Sequence, residues 1–302
     1  MDKIGLVTIT YNSADVLKGF LDSTFKQTFQ NFVIYIIDNN SQDNTISILE
    51  KYQDERIVLI KNLENVGVAK ANNQGIKLAL NQDCSQVLII NNDIEFEDQL
   101  FDKMLNIQHE NNCSLVAPKM MYFDNPDHIW YAGSDFIKSK GLLPIHKGMR
   151  QKDGGEFDGI FQVEYAPTCC LLVKKQVFAD VGFMDEKYFV YFDDTDFLYR
   201  VLIDDRHRLF YFSDVNFYHK VGSLTKSVDK DKKKEYRSDF FIKQNTRNHV
   251  YFLKKIGGFY SYLFILFLFF KNNIRVFTNS KFRLNFYTFK LINKSYFEGL
   301  KM

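Results

Sequence analysis

Short apolar runs rich in β-branched residues alternate with amphipathic stretches from residue 4 to about residue 118 of this 302-residue chain. IGLVTIT (4–10), FVIYIID (32–38), RIVLI (56–60), QVLII (86–90) and SLVAP (114–118) show little polar alternation, the pattern of strands buried on both faces. Between them, residues 14–27, 43–52, 67–81 and 98–111 carry apolar positions at helical spacing. Buried strands separated by helices of that length predict right-handed crossovers and a mostly parallel α/β sheet. Such sheets bind ligands at the carboxyl ends of their strands. Polar residues collect at those ends: Thr10, Tyr11, Asn12 and Ser13, then Asp38, Asn39, Asn40 and Ser41, then Asn91, Asn92 and Asp93. Ser13 and Asp43 are good helix N-caps, which explains part of this. Capping does not explain why three strands end in Asn and Asp together. KNLENVGVAKANNQG (61–75) predicts a turn at Gly67 and a helix with small early side chains, which let a backbone approach a bulky ligand.

The rhythm changes after residue 118. Residues 119–174 are rich in Gly and aromatics, with shorter strand-like pieces such as FQVEYAP (161–167) and TCCLLVKK (168–175). Helical patterns return at 175–181, 194–204 and 235–254. The chain therefore divides into a first half (1–118), a second half packed against it that shapes an acceptor site (119–255), and a tail (256–302). Within the second half, FVYFDDTDFLYR (189–200) sets Asp193, Asp194 and Asp196 among Phe189, Tyr191, Phe192, Phe197 and Tyr199. A carboxylate in a partly dry wall has its pKa raised toward the operating pH, which suits a general base. Acids also favour helix starts, so Asp193 or Asp194 capping a helix through Ile203 is the other reading. Both can hold at once.

FYSYLFILFLFF (259–270) is the strongest apolar run. Twelve helical residues reach about 18 Å, short of the roughly 30 Å hydrocarbon core. Two readings remain, a buried helix of the core or of an oligomer interface, and a helix lying in a membrane surface. Charge bears on the choice. The net charge of +2 conceals an uneven balance: residues 254–302 hold nine basic residues (Lys254, Lys255, Lys271, Arg275, Lys281, Arg283, Lys290, Lys294, Lys301) against Glu298, so that stretch carries +8 and the rest −6. A basic, aromatic tail suits anionic lipid. With 46% apolar and 25% charged residues, the body is that of a folded globular protein. Cys84, Cys113, Cys169 and Cys170 lack metal spacing and read as reduced thiols. MDKIGLVTITYNS holds no signal core, so the expectation is a cytoplasmic protein.

Taken in order, TYNS (10–13), DNNSQDNT (38–45), NVGVAKANNQG (65–75), NND (91–93), FDDTDFLYR (192–200) and YHKVGS (218–223) resemble glycosyltransferase family 2. The likeness is to its bacterial rhamnosyl- and galactofuranosyltransferase-like branch and runs from residue 4 to about 255. The ordered set is more specific than any single motif. The resemblance implies a GT-A fold: a Rossmann-like, mostly parallel sheet flanked by helices, here with a C-terminal helical tail. It also implies a nucleoside-diphosphate sugar donor (UDP- or dTDP-sugar) and Mg²⁺ or Mn²⁺. By motif match, Thr10, Tyr11 and Asn12 line the nucleotide pocket and Asp38 bonds the base or ribose. Asn65, Gly67, Ala69 and Asn72 bound the nucleotide and phosphates, with Asn92 nearby. Asp93 matches the last position of the family's D-x-D motif and holds the metal against the diphosphate, as hard cations favour oxygen ligands. Asn91 departs from the motif's fullest form, which has Asp; an amide oxygen ligates but brings no charge. His219 lies where related enzymes supply a further metal ligand, a structural histidine being the other reading. Asp194 matches the second acid of the E/D-D motif and acts as base, beside Asp193, in a displacement that inverts the anomeric centre. Arg247 in QNTRN matches an Arg-Asn pair that faces a phosphate, unless it lies on the surface of a basic helix. Trp130, the only tryptophan, stacks on a sugar ring or packs in the core.

The resemblance thus implies an inverting, metal-dependent glycosyltransferase of bacterial surface polysaccharide synthesis, peripheral at the inner face of the cell membrane. Its acceptor is a saccharide or lipid-linked saccharide, and no nucleic acid is involved. A non-catalytic nucleotide-sugar-binding or scaffold protein of the same fold is the alternative. Sugar nucleotidyltransferases need a Gly-rich phosphate loop after the first strand, and TYNSADVLKG supplies none. Dinucleotide oxidoreductases fail for want of G-x-G-x-x-G.

Overall fold

The structure is a computed structural model that describes residues 2–222, 237–278 and 285–302. Ser223 of the YHKVGS motif, the start of the predicted 235–254 helix, and Lys281 and Arg283 of the tail lie outside the described residues. The first third of the chain runs β1 (Ile4–Thr10), α1 (Ala14–Phe25), β2 (Phe32–Asp38), α2 (Thr45–Leu49), β3 (Ile57–Lys61), α3 (Val68–Asn81), β4 (Gln86–Ile90), β5 (Ile94–Phe96), α4 (Leu100–Glu110) and β6 (Leu115–Pro118). Short strands follow: β7 (Met120–Tyr122), β8 (Ile129–Tyr131), β9 (Ser134–Ile137), β10 (Leu143–His146) and β11 (Ile160–Val163). Next come β12 (Cys170–Lys174), α5 (Lys175–Val181), α6 (Asp193–Asp204), β13 (Leu209–Phe212) and β14 (Phe217–His219). Three helices, α7 (Asp239–Ile256), α8 (Gly258–Thr278) and α9 (Phe286–Lys301), close the chain.

Eight strands form one sheet in the order β11-β13-β6-β12-β4-β1-β2-β3. β1 runs parallel to β2 and β4, β2 to β3, and β6 to β13. β12 enters antiparallel between β4 and β6, and β11 is antiparallel at the edge. Cys170, Leu171, Leu172 and Val173 are all fully buried in β12, as a central strand covered on both faces requires. A strand from the second half thus completes the sheet of the first. A smaller sheet, β5-β14-β7-β8, stands beside it. Pairing of β14 with β5 sets His219 opposite Ile94, next to Asp93.

The tail is a helical layer and not a loose appendage. Ser238 caps α7 by accepting from the Phe241 amide. Gly299 lets α9 lie directly on α7, since a Cβ there would collide with the Arg247 carbonyl. Lys254 Nζ donates to the Leu300 carbonyl at 2.6 Å, and Tyr296 Oη to that of Ile265 at 3.0 Å. The apolar run on α8 divides between its two readings. Ser261, Phe264, Ile265 and Leu268 are buried, while Phe259, Leu263, Leu266 and Phe270, one helical line, are at least half exposed. Among the described residues no helix is long and apolar enough to cross a membrane.

Candidate active site

The ends of β1 and β2 are laced together by short side chains. Asp38 Oδ1 accepts from Thr10 Oγ1 at 2.8 Å and from Ser41 Oγ at 2.5 Å, and Oδ2 accepts from the Ser41 amide at 3.0 Å. Asn12 adopts a left-handed φ of 52°, and its Oδ1 accepts from the Gln42 amide at 2.8 Å. Tyr11 beside it is 44% exposed, free to meet a ligand. Ser13 occupies the N-cap position of α1 without capping it; its Oγ accepts from the Tyr11 amide, and Asp43 reaches across to accept from the Ala14 amide. Asn92 is turned inward, where its Nδ2 donates to the Ile9 carbonyl and to Ser13 Oγ, so its amide braces the first strand.

At the other side of the crevice, Asp93 Oδ1 lies 3.3 Å from His219 Nε2. Adjacent ligand atoms around an octahedral cation with bonds near 2.1 Å sit about 3 Å apart, so this carboxylate oxygen and imidazole nitrogen are spaced to share a divalent ion. Among the described residues no group of three or more His, Cys, Asp or Glu could hold a metal unaided. The pair therefore suits a cation whose remaining ligands come from elsewhere, such as a diphosphate. His219 Nδ1 is buried with no hydrogen-bond partner among the described residues. Trp130 is half-buried, packed against the main core, and meets His219 and His146 edge-to-face with ring centroids 4.4 Å and 4.9 Å apart. Asn91 is exposed, and its backbone amide donates to the Cys169 carbonyl at 3.0 Å.

The acidic motif begins α6. Tyr191 and Phe192, two bulky residues in succession, have φ of 63° and 71°, a strained pair. Asn248 on α7 holds this turn, its Nδ2 donating to the Val190 and Tyr191 carbonyls at 2.9 Å each. Arg247 Nε orients Asn248 by donating to its Oδ1 at 2.9 Å, and Arg247 Nη2 donates to Gln244. Arg247 is half-buried, with its guanidinium engaged along α7. The N-cap position belongs to Phe192, which makes no side-chain cap, so neither Asp193 nor Asp194 is the cap residue. Both acids occupy the first turn instead, where the helix dipole favours them.

The three acids differ in surroundings. Asp196 is spent on Arg200 Nε at 2.9 Å and Lys255 Nζ at 2.9 Å, joining α6 to α7. Asp193 is 4% exposed; burial first, then the charge of Asp194, pushes its carboxyl well above the usual range. Asp194 keeps partial exposure. Burial raises its carboxyl too, but hydrogen bonds from Tyr165 and Thr195 oppose the rise. Two buried carboxyls side by side do not ionise together cheaply, and both are raised, while the hydrogen bonds from Tyr165 and Thr195 favour the ionised form of Asp194 alone. A partly open carboxyl with such donors is suited to accept a proton.

The phosphate-side expectations move. Gly67 has φ of 84°, and the space its Cβ would fill belongs to the Phe189 backbone, whose carbonyl accepts from the Val68 amide at 2.6 Å. Gly67 therefore docks the loop that carries the acids. Asn65 Oδ1 accepts from the Gly67 amide and fixes this turn. Ala69 is buried, and Asn72 is buried against Met184, its Nδ2 3.6 Å from the sulfur, away from the open crevice. The small side chains of α3 serve packing: Gly75 lies where a Cβ would strike Val7. Sequence reasoning passed over Tyr165, and met Asn248 only as the second member of the Arg-Asn pair in QNTRN. Strand alternation puts Tyr165 on the buried face with Val163, and a buried Tyr hydroxyl requires a partner, which was the available signal. The turn that Asn248 holds was not legible, since its partners are backbone carbonyls 57 and 58 residues away.

The sheet order, the crevice at its strand ends and the acidic helix start define a GT-A fold. The profile described as Glycosyl transferase family 2 matches residues 6–182, and the chain belongs to that family. It is similar to the low-salt glycan biosynthesis hexosyltransferase Agl10 of Haloferax volcanii, 22% identical over 206 residues, covering 66% of this chain and 62% of that protein. It is also similar to the dTDP-rhamnosyl transferase RfbF of Shigella flexneri, 26% identical over 198 residues, covering 65% and 62%. The chain thus spans less than two-thirds of the length of these curated relatives. Among solved structures, S. aureus TarS in complex with UDP superposes with a TM-score of 0.54 at 16% identity, covering 83% of this chain and 65% of that one.

Proposed function

We propose that the chain is an inverting glycosyltransferase that moves a hexosyl or deoxyhexosyl group from a UDP- or dTDP-sugar to a saccharide or lipid-linked saccharide in bacterial surface polysaccharide synthesis. Asp194 carries the reading, as a partly exposed carboxyl at the start of α6 that accepts from Tyr165 Oη and the Thr195 amide. The acceptor oxygen forms its bond to the anomeric carbon as the bond to the diphosphate breaks; the proton passes to Asp194 and the electron pair leaves with the nucleoside diphosphate. Thr10, Tyr11, Asn12 and Asp38 form the nucleotide side of the crevice, with Asn65, Gly67, Asn72 and Asn92 bracing its walls. Asp93 and His219, with the exposed Asn91, would hold Mg²⁺ or Mn²⁺. When bound, the ion offsets charge on the diphosphate. Trp130 borders the sugar through His219, while Asp193 and Arg247 support the base.

The exposed line on α8, flanked by Lys271 and Arg275, supports peripheral attachment to anionic lipid at the cytoplasmic face, near a lipid-linked acceptor. The decisive experiment measures nucleoside diphosphate release from UDP-glucose and dTDP-rhamnose by wild type and Asp194→Asn. Loss of about 10²- to 10⁴-fold with unchanged nucleotide affinity is expected. Wild-type turnover in the variant sinks the assignment.

A further inference from the structure

A base must present a free lone pair to the acceptor, and a carboxylate has about four acceptor directions. In Asp194 most are filled. Oδ1 accepts from the Thr195 amide at 2.6 Å and from Thr195 Oγ1 at 3.2 Å, and Oδ2 accepts from Tyr165 Oη at 2.6 Å. Among the described residues one direction remains, on Oδ2.

Tyr165 is itself fixed on every side. Its amide donates to the Ser134 carbonyl at 3.0 Å, and its carbonyl accepts from Tyr131 Oη at 2.8 Å. Its ring stacks on His146 at 6.1 Å and meets Phe136 edge-on at 5.9 Å. A ring held this way cannot swing its hydroxyl from Asp194 without disturbing two strands. Burial first, then the charge of Asp194, pushes the Tyr165 phenol well above its usual range, so the phenol keeps its proton and donates it. Tyr165 is thereby a poor base in its own right.

We infer that Tyr165 and Thr195 are positioning residues that lock the Asp194 carboxylate in one orientation, so that the acceptor proton is delivered to the open lone pair of Oδ2. The inference rests on the reading of Asp194 as base. In the step, the acceptor O–H bond breaks toward Oδ2, the acceptor oxygen bonds the anomeric carbon, and the diphosphate departs with the glycosidic electron pair. Tyr165 donates throughout and exchanges no proton. Its hydrogen bond favours the ionised carboxylate, so removing it lets Asp194 bind a proton at higher pH. Among the described residues the other titratable groups facing this carboxyl are Asp193 on its own helix and, just before β12, Cys169, whose thiol burial keeps protonated.

Two measurements on the full chain test this. The first is a carboxyl-carbon NMR titration of aspartate-labelled protein without ligand, Asp194 being assigned by its absence in Asp194→Asn. Wild type and Tyr165→Phe are compared in the Asp193→Asn background to remove the coupled neighbour. The midpoint should rise by about one pH unit or more in Tyr165→Phe, and by less in Thr195→Val, which keeps the backbone donor. An unchanged midpoint overturns the inference. The second is turnover of UDP-glucose and dTDP-rhamnose. Tyr165→Phe should lower kcat about 10- to 100-fold, leave donor KM within about twofold, and move the acid limb of the pH profile upward. A loss expressed in donor KM with an unmoved acid limb marks Tyr165 as merely structural. Wild-type kinetics in Tyr165→Phe while Asp194→Asn is dead defeats the inference alone; turnover in Asp194→Asn defeats the reading beneath it.

Discussion

The crevice has two walls built on opposite principles. At the ends of β1 and β2, Thr10, Asn12, Ser13, Asp38, Ser41 and Asp43 bond one another and the backbone, across several loops. At the turn into α6, adjacent acids are buried, two bulky residues hold left-handed φ, and stability comes from outside, from Asn248, Lys255 and Tyr165. A satisfied polar frame lowers the free energy of the fold wherever it is placed. Strain and like charge raise it, and persist only where the surroundings over-determine them, as at sites of chemistry. The contrast assigns binding to the first wall and reaction to the second.

The largest effect that can break this contrast is the loss in Asp194→Asn already described, set against near-normal turnover in Asp193→Asn. Next comes the metal side. Asp93→Ala should weaken Mn²⁺-dependent binding of UDP by at least about tenfold, the size seen even for outer-shell partners of metal sites, while binding of uridine stays unchanged. Calorimetry with and without Mn²⁺ separates the two. Equal losses for both ligands make Asp93 structural, and because β5 and no helix follows it, that role would lie with His219.

Asp38 tests the frame. Asn in its place has one acceptor oxygen and two unwanted donors facing Thr10 and Ser41, so Asp38→Asn should cost about 1–3 kcal/mol in urea unfolding. Loss of donor affinity with an unmoved unfolding midpoint would show that the first wall is no frame.

How far these walls were legible in the sequence follows from the range of the interactions. β1, β2, β4 and α5 fall on 4–10, 32–38, 86–90 and 175–181 as predicted, because buried strands and helix punctuation are written locally. α2 is shorter than 43–52, since Asp43 and Asn44 are used in the turn before it. β5, β7 and β8, three residues each, are too short for any period to register. The antiparallel entry of β12 was hidden because its partners β4 and β6 lie far off in the chain and its apolar run suits either direction. Asp194 was visible through its aromatic bracket. What holds it, Tyr165 and the Arg247–Asn248 clamp, depends on contacts across 29 to 58 residues.

Asp193 sharpens the second wall through pH. Its folded carboxyl is raised above the ordinary value of 3.8, so its contribution is most favourable below that value and is lost as pH rises through the raised one. Asp193→Asn removes this titration. Urea midpoints from pH 5 to pH 8.5 should fall less steeply for the variant than for wild type. Parallel curves would mean that Asp193 is not strained by burial.

The smallest effect on the fold is expected on the outer face of α8, and it decides what the tail does. Truncation after residue 255 is a poor probe, because α9 packs on α7, the helix that carries Asn248. Substituting Phe259, Leu263 and Leu266 by Ser changes a line that is 81%, 51% and 55% exposed. Each change should shift stability by no more than about 0.5 kcal/mol, the usual range for surface positions. Sedimentation with anionic vesicles at low salt should nonetheless show a clear loss of binding, since the line supplies the apolar area and the basic tail about 1 kcal/mol per residue. Raising salt should weaken wild-type binding in part, leaving the apolar share. Wild-type protein that ignores the vesicles, together with a triple variant that changes from oligomer to monomer in analytical ultracentrifugation, would make this face an interface between copies of the chain.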